Sequence, residues 1–433
     1  MLAYSLIQES LRRTNSDDEE YSTLERSGVL LTAYTKEGEL VTLIGAAREQ
    51  ILQSREKETF FCPICEEPLI LKAGHVRIPH FSHRRFSPCT YVSTEPESRK
   101  HLKGKQDLYE WCKSHQLPVL LEHYLPEIKQ RPDLLVRTED RTYAIEFQCT
   151  PIPVKSVAKR TSRYLSAGIT PVWILGGMPY HKKRNNQTFE WNEYYWSLSV
   201  KYDQNILLAG YEPDHEIFSL LTRVTPYTPR KVFGRLRQWP ISQVDFPFCH
   251  FRDSSDIPLK NWLAEKRNWM QQKVRYGNLA RDPFLEAVYT NKKNPFLLSP
   301  VIGIPVFYME SFISHPVEWQ FFIWADCLKQ INLNKNISLK YITYKLQTRI
   351  KKGELSLRIL PMHERDQWKK AIAHYFQLLE QLFYFQQAGK DLYRSSAPFP
   401  WPSHVDQTGR MEADLFTALA KIQDKCLAGF SIQ

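Results

Sequence analysis

Two short segments bring carboxylates into apolar surroundings. Arg131-Pro132-Asp133 leads into Leu134-Leu135-Val136, and Tyr143-Ala144-Ile145-Glu146-Phe147-Gln148 follows a polar break. Alternation along the second segment puts Glu146 and Gln148 on one strand face and Ile145 and Phe147 on the other. Thr138 to Arg141 is polar enough for a hairpin turn, so Asp133 arrives on the neighbouring strand and converges on the Glu146 face. An Asp and a Glu so placed form a hard-oxygen site suited to Mg2+ or Mn2+. The chemistry such a site performs is phosphodiester hydrolysis: the ion polarises the scissile phosphate and acidifies a water, and Gln148 orients the water or the phosphate. The same residues also fit a proline turn beside a solvated strand glutamate, and only convergence of the carboxylates separates the two readings.

A second set of ligating residues precedes these strands. Cys62-Pro63-Ile64-Cys65 is a C-x2-C turn, and His80, His83 and Cys89 follow in one basic segment. Four of these five match a tetrahedral structural zinc site. On an extended strand His80 and His83 face opposite ways, which favours His83 with Cys89 as the second half of the shell. A closed shell of four protein ligands leaves no open position for catalysis, so the zinc is expected to hold together a small loop-rich unit.

The elements that must position these groups can be read around them. Val29 to Tyr34 and Leu40 to Ile44 flank a hairpin turn, and Arg48 to Ser54 reads as a short helix. Residues 97–115 read as a helix with Leu102, Leu108, Trp111 and Cys112 as its apolar stripe; Glu97, His101 and Lys105 share another face. A strand from Val119 to Leu121 ends at Glu122, and the two carboxylate strands follow. Val154 to Ala167 is expected to be a helix carrying Lys155, Lys159, Arg160 and Arg163, closed by Gly168. Pro171 to Leu175 is a buried strand. This order gives an α/β core with a basic helix beside its carboxylates, and Glu97, Glu122 and His101 are further groups that can reach the cleft.

The whole chain adds limits. Its 433 residues allow several domains, with a net charge of +11 and 11 Trp, 22 Tyr and 23 Phe interleaved; this favours a polyanionic partner, because cations neutralise phosphate while rings stack on bases. No apolar run of about 18 residues occurs and the start lacks a signal-peptide core, so a cytoplasmic location is expected. The expected organisation is a multidomain α/β and α+β chain: an extension over 1–27, a β and zinc module over 28–95, the carboxylate domain over 96–180, a linker and irregular arm over 181–258 that includes the Pro-rich stretch Thr225 to Pro247, and a mainly helical domain over 259–433. Within the last, Asn261 to Tyr276 reads as a basic helix bearing Trp262 and Trp269, and a long helix is expected from Glu364 to Gln387.

Taken in order, Cys62-x2-Cys65, Pro79-His80-Phe81-Ser82-His83, Glu97-Ser98-x2-His101-x3-Lys105, Arg131-Pro132-Asp133, Glu146-Phe147-Gln148, Arg160-x3-Tyr164 and Val172-Trp173-Ile174-Leu175 resemble the competence protein CoiA family. The resemblance covers roughly residues 28 to 178 and is carried by the series rather than by any one motif. It implies a zinc-ribbon-like segment followed by a restriction-endonuclease-like domain of the PD-(D/E)xK type. It also implies a cytoplasmic protein that acts on DNA taken up during natural transformation and promotes its recombination. Asp133 and Glu146 would then be the carboxylates that bind Mg2+ or Mn2+, with Gln148 standing where the pattern has Lys. That departure removes a cation from the site, which Lys155, Lys159 or Arg160 could restore. The expected partners are DNA, single-stranded or in recombination intermediates, and the recombinase machinery. The alternatives are a non-catalytic recombination mediator and an adaptor that recruits the recombinase.

Overall fold

The structure is a computed structural model that describes residues 29–74, 78–84, 87, 89, 98–178, 187–202, 205–248 and 258–430. The expected N-terminal extension over 1–27 and the candidate Glu97 lie outside the described residues.

The first unit is a six-stranded sheet with the order β1-β6-β5-β4-β2-β3. Its strands are β1 (Val29–Leu30), β2 (Thr32–Tyr34), β3 (Leu40–Thr42), β4 (Phe60–Phe61), β5 (Pro68–Lys72) and β6 (His80–His83), with helix α1 (Arg48–Lys57) between β3 and β4. Its core is small, built on Leu30, Ala33, Ile51, Phe60, Leu71 and Phe81. So few apolar side chains make a unit that needs a metal or a neighbour to hold it.

The second unit begins with α2 (Arg99–Ser114), whose start is capped by Ser98 Oγ accepting the His101 amide. It continues through β7 (Val119–Leu121), β8 (Leu134–Arg137), β9 (Thr142–Gln148), α3 (Val154–Ser166), β10 (Ile169–Leu175), β11 (Thr188–Glu190), α4 (Glu193–Leu198), β12 (Val200–Tyr202), β13 (Asn205–Glu212), β14 (Ile217–Thr228) and β15 (Lys231–Pro240). The strands form one mixed sheet, ordered β11-β15-β14-β13-β10-β9-β8-β7, with β12 paired to β13. Strands β9, β10 and β13 run parallel; the flanking pairs are antiparallel. Helix α2 buries Leu102, Leu108, Trp111 and Cys112 against Ile145 and Phe147 on one face. Helix α3 buries Val157 against Trp173 and Leu175 on the other.

Here the structure differs from the expectation for 181–258. The described part of that stretch is not a linker: β13, β14 and β15 extend the carboxylate sheet, and Thr225 to Pro240 lies largely within a long hairpin. Prolines mislead because Pro226 sits beside register shifts in β14 and Pro240 ends β15, where neither costs a central ladder bond.

The third unit contains α5 (Leu259–Tyr276), α6 (Pro283–Thr290), α7 (Pro316–Ile323), β16 (Asn336–Ser338), α8 (Leu339–Lys351), α9 (Gln367–Gln381), β17 (Phe385–Gly389), β18 (Leu392–Ser395) and α10 (Val405–Phe430). It is mainly helical, with a small sheet ordered β16-β18-β17. The tryptophans of α5 serve the core: the Trp262 indole donates to Gly303 O at 3.0 Å, and Trp269 stacks on His315 at 4.1 Å. The helix expected to reach Gln387 stops at Gln381, because Phe383 takes φ +64 and turns the chain into β17. The buried pair Lys201–Glu310 at 2.5 Å, and buried Arg358 with the more exposed Glu193 of α4 at 3.1 Å, join this unit to the second. No helix among the described residues is long and apolar enough to cross a membrane.

Candidate functional site

Asp133 and Glu146 lie within electrostatic reach of each other at one end of the mixed sheet. Contrary to the expectation of a shared face, Asp133 is met by side chains from α2 and Glu146 by side chains from α3 on the opposite face. Leu134 pairs with Ile145 across β8 and β9, which puts Asp133, just before β8, beside the end of β9. There Asp133 Oδ2 accepts the Phe147 amide at 2.8 Å, so its position is fixed by the residue that follows Glu146. Both faces of the sheet contribute side chains. From α2, His101 Nε2 lies 3.6 Å from Asp133 Oδ2, and Lys105 Nζ lies 3.9 Å from Asp133 Oδ1. From α3, Arg160 and the Tyr164 hydroxyl both donate to Glu146 Oε1 at 2.5 Å. Both contacts fall on Oε1.

Close packing makes this convergence possible. A Cβ on Gly104 would fall 2.0 Å from Phe147 Cε1, so only glycine lets α2 lie this near β9. His101, one turn earlier, then stacks on the Phe147 ring with centroids 5.8 Å apart.

The two acids titrate in opposite directions. Burial alone would raise the Asp133 carboxyl, but His101, Lys105 and the Phe147 amide together hold it well below the usual carboxylate range. Burial pushes Glu146 up to about 7, and the Asp133 charge adds to the rise against the opposing pull of Arg160, Tyr164 and His101. The ionised Asp133 carboxylate thus raises the proton affinity of Glu146, a repulsion that a cation between them would relieve. Among the described residues the only group of three or more ligating side chains close enough to share one ion is the cysteine and histidine cluster described below.

The other candidates fall as follows. Gln148 turns its amide back on its own loop and donates to Thr150 O at 2.7 Å. Lys155 and Lys159 are exposed on α3, and Arg163 reaches the Lys129 carbonyl at 3.5 Å. Glu122 adjoins Asp133, with its amide donating to the Asp133 carbonyl at 2.9 Å, but its carboxylate is engaged elsewhere. Its backbone is left-handed at φ +51, Oε1 takes the Lys105 ammonium at 2.5 Å, and Oε2 accepts the Leu31 amide at 2.8 Å and the Thr32 hydroxyl at 3.4 Å. It therefore fastens the N-terminal sheet to the mixed sheet. Lys105 and Tyr164 are the contributors that the sequence hides: a lysine on a charged helix reads as solvated, yet Lys105 is fully buried. The signals for it are the helical spacing that puts it on the His101 face and its place in the His101-x3-Lys105 motif.

Cys62, Cys65, His83 and Cys89 gather so that their ligand atoms all lie within 4.8 Å of one another. Three sulfurs and an imidazole in that volume fit zinc. His83 Nε2 lies 3.3 Å from Cys65 Sγ, and the Ile64 amide points at Cys62 Sγ at 3.4 Å, as a tight metal-binding turn requires. Burial, helped by the Arg131 charge, lowers the His83 pKa and keeps the ring neutral for ligation. His80 does not join: it lies on the alternate face of β6, with Nδ1 2.8 Å from Ile78 O.

Comparisons with known proteins agree along most of the chain. The description "Competence protein CoiA" covers three matching family models: an N-terminal domain over residues 43–92, a nuclease-like domain over 97–252 and a C-terminal domain over 257–408. The nuclease-like match runs through the β14–β15 hairpin. Competence protein CoiA of Bacillus subtilis (strain 168) is 27% identical over 318 residues, covering 69% of this chain and 84% of that protein. No solved structure matches.

Proposed function

Because the chain belongs to the competence protein CoiA family and carries its nuclease-like domain, we propose that Asp133 and Glu146 form the centre of a divalent-metal-dependent DNA phosphodiesterase. On this reading it acts in the cytoplasm on single-stranded DNA or recombination intermediates and promotes recombination of DNA taken up in natural transformation. The observation that supports it is the seating of Asp133 Oδ2 on the Phe147 amide, which brings acids from adjoining strands to one sheet end.

Asp133 and Glu146 would hold Mg2+ or Mn2+, which when bound supplies positive charge to the scissile phosphate and acidifies a water. The chain's own groups do the positioning. Arg160 and Tyr164 lock the Glu146 rotamer, and the Phe147 amide locks Asp133. Lys105, buried and paired with Glu122, helps to keep Asp133 ionised. His101, half-buried at the cleft, is placed to hold a proton for the departing oxygen. Exposed Lys155 and Lys159 offer contacts to the DNA backbone.

The test is cleavage of single-stranded and branched DNA by the zinc-loaded protein with Mg2+ or Mn2+. Asp133→Ala and Glu146→Ala should abolish cutting while affinity for DNA holds or rises, since negative charge near phosphate is gone. Cutting by Asp133→Ala at the wild-type rate overturns the proposal. A second reading, a mediator that grips DNA or recruits the recombinase without cutting it, is favoured by the neutral amide of Gln148, which is held on the Thr150 carbonyl. It is the conclusion if the wild type binds DNA and cuts with neither ion.

A further inference from the structure

Helix α8 carries a surface unlike the rest of the third unit. Leu339, Ile342 and Leu346 are buried in the core, while Lys340, Tyr341, Tyr344, Gln347, Lys351 and the following Lys352 are exposed. Spacings of three and four residues put Tyr341, Tyr344, Thr348 and Lys351 along one face. Tyr341 is 44% exposed and Tyr344 is 64% exposed, so both rings are accessible from solvent. No acidic residue lies between Leu339 and Lys352. The acids packed alongside, Asp326 and Glu354, are neutralised by Arg349, which pairs with both at 2.6 and 2.5 Å. Lys345 sits over the Tyr341 ring at 5.4 Å, and Arg394 on neighbouring β18 is exposed.

Tyr341 also lines a cavity of about 570 Å3 beside the start of α8, where Ile337 and Leu392 give apolar walls and Asn336 and Ser338 give polar ones. The volume exceeds that of a nucleobase, and a base entering it would lie against Tyr341.

We propose that this face of α8, with the adjoining cavity, binds single-stranded DNA: Tyr341 and Tyr344 stack unpaired bases, the lysines track the phosphates, and the cavity accepts one base. The choice of DNA rests on the phosphodiesterase reading above; the preference for an open strand does not, because exposed rings can stack only on bases outside a duplex. A lipid surface fits poorly, since the apolar stripe of α8 is spent in the core and its open face carries Lys, Gln and Thr between the rings.

The experiment uses the full-length, zinc-loaded protein without added divalent ion, so that binding is read apart from cutting. Anisotropy of fluorescein-labelled oligothymidylate is compared with that of a duplex of equal length. Each Tyr→Ala change at 341 or 344 should weaken binding to the single strand about ten-fold, while duplex affinity stays within about two-fold. The double Tyr→Phe variant should bind as the wild type does. Lys340→Gln with Lys351→Gln should flatten the salt dependence by roughly 0.7 per lysine. Wild-type affinity in the double Tyr→Ala variant, an equal loss on duplex, or tighter binding to oligouridylate or to anionic phosphatidylserine vesicles overturns the proposal. Failure here leaves cleavage at Asp133 intact, and absence of cleavage leaves this binding measurement intact, so the two readings fail separately.

Discussion

The Lys105 ammonium and the Glu122 carboxylate form an ion pair 2.5 Å apart from which water is almost wholly excluded. The other Glu122 oxygen takes the Leu31 amide, and Lys105 also lies 3.9 Å from Asp133. One buried carboxylate thus sets the N-terminal sheet against the mixed sheet and holds the cation beside the proposed metal ligand.

Removing one partner of such a pair costs far more than removing both. Glu122→Ala takes away the nearest countercharge of Lys105 and should destabilise the protein by about 3–5 kcal/mol. The double variant Glu122→Leu/Lys105→Met should recover most of that loss. Denaturant melts of the single and double variants check this; additive losses would contradict it.

At Gly104 the helix touches the sheet. A methyl group there meets Phe147 at 2.0 Å, so α2 must shift or the ring must leave its rotamer. Gly104→Ala should cost about 1–3 kcal/mol and lower the affinity for Mn2+ by moving His101 and Lys105. An unchanged melting temperature would show that the interface is looser than described.

Zinc content separates the two histidines of β6. His83→Ala and Cys89→Ser should purify without zinc and melt the N-terminal unit, since metal binding contributes its folding free energy. His80→Ala should keep a full complement of zinc. Elemental analysis decides, and loss of metal from His80→Ala with retention in His83→Ala would reverse the assignment.

Acid should loosen the third unit first. Burial, aided by Lys266, holds His315 down to about 3, and burial lowers His363 and His374 to about 4. These folded-state values lie below the roughly 6.5 of an unfolded histidine, so the unfolded chain binds protons first as the pH drops. Their effect is absent above about pH 6.5 and grows as the pH falls from there toward 4. Tryptophan fluorescence melts at pH 7 and pH 5 should show the loss, and equal stability at both would contradict the burial of these rings.

Much of the site could be read in the sequence because its signals are local. Strand alternation places Glu146 away from Ile145 and Phe147, and the period of β6 separates His80 from His83. What stayed hidden depends on distant partners. Lys105 is buried only because Glu122 and Asp133 come from other strands to meet it. Tyr164 is a core aromatic by pattern, and its hydroxyl gains a role only through Glu146. The β14–β15 hairpin was obscured by prolines that fall at a bulge and a strand end. Phe383, a good helix continuer by composition, ends its helix through a left-handed turn.

The central claim is that Asp133 and Glu146 together hold one hard divalent ion, and Mn2+ titration followed by electron paramagnetic resonance tests it directly. The zinc-loaded wild type should bind one Mn2+ that Mg2+ displaces, and Asp133→Ala and Glu146→Ala should each lose it while keeping their zinc. Equal Mn2+ binding by the wild type and both variants, or none by any of them, would contradict the account.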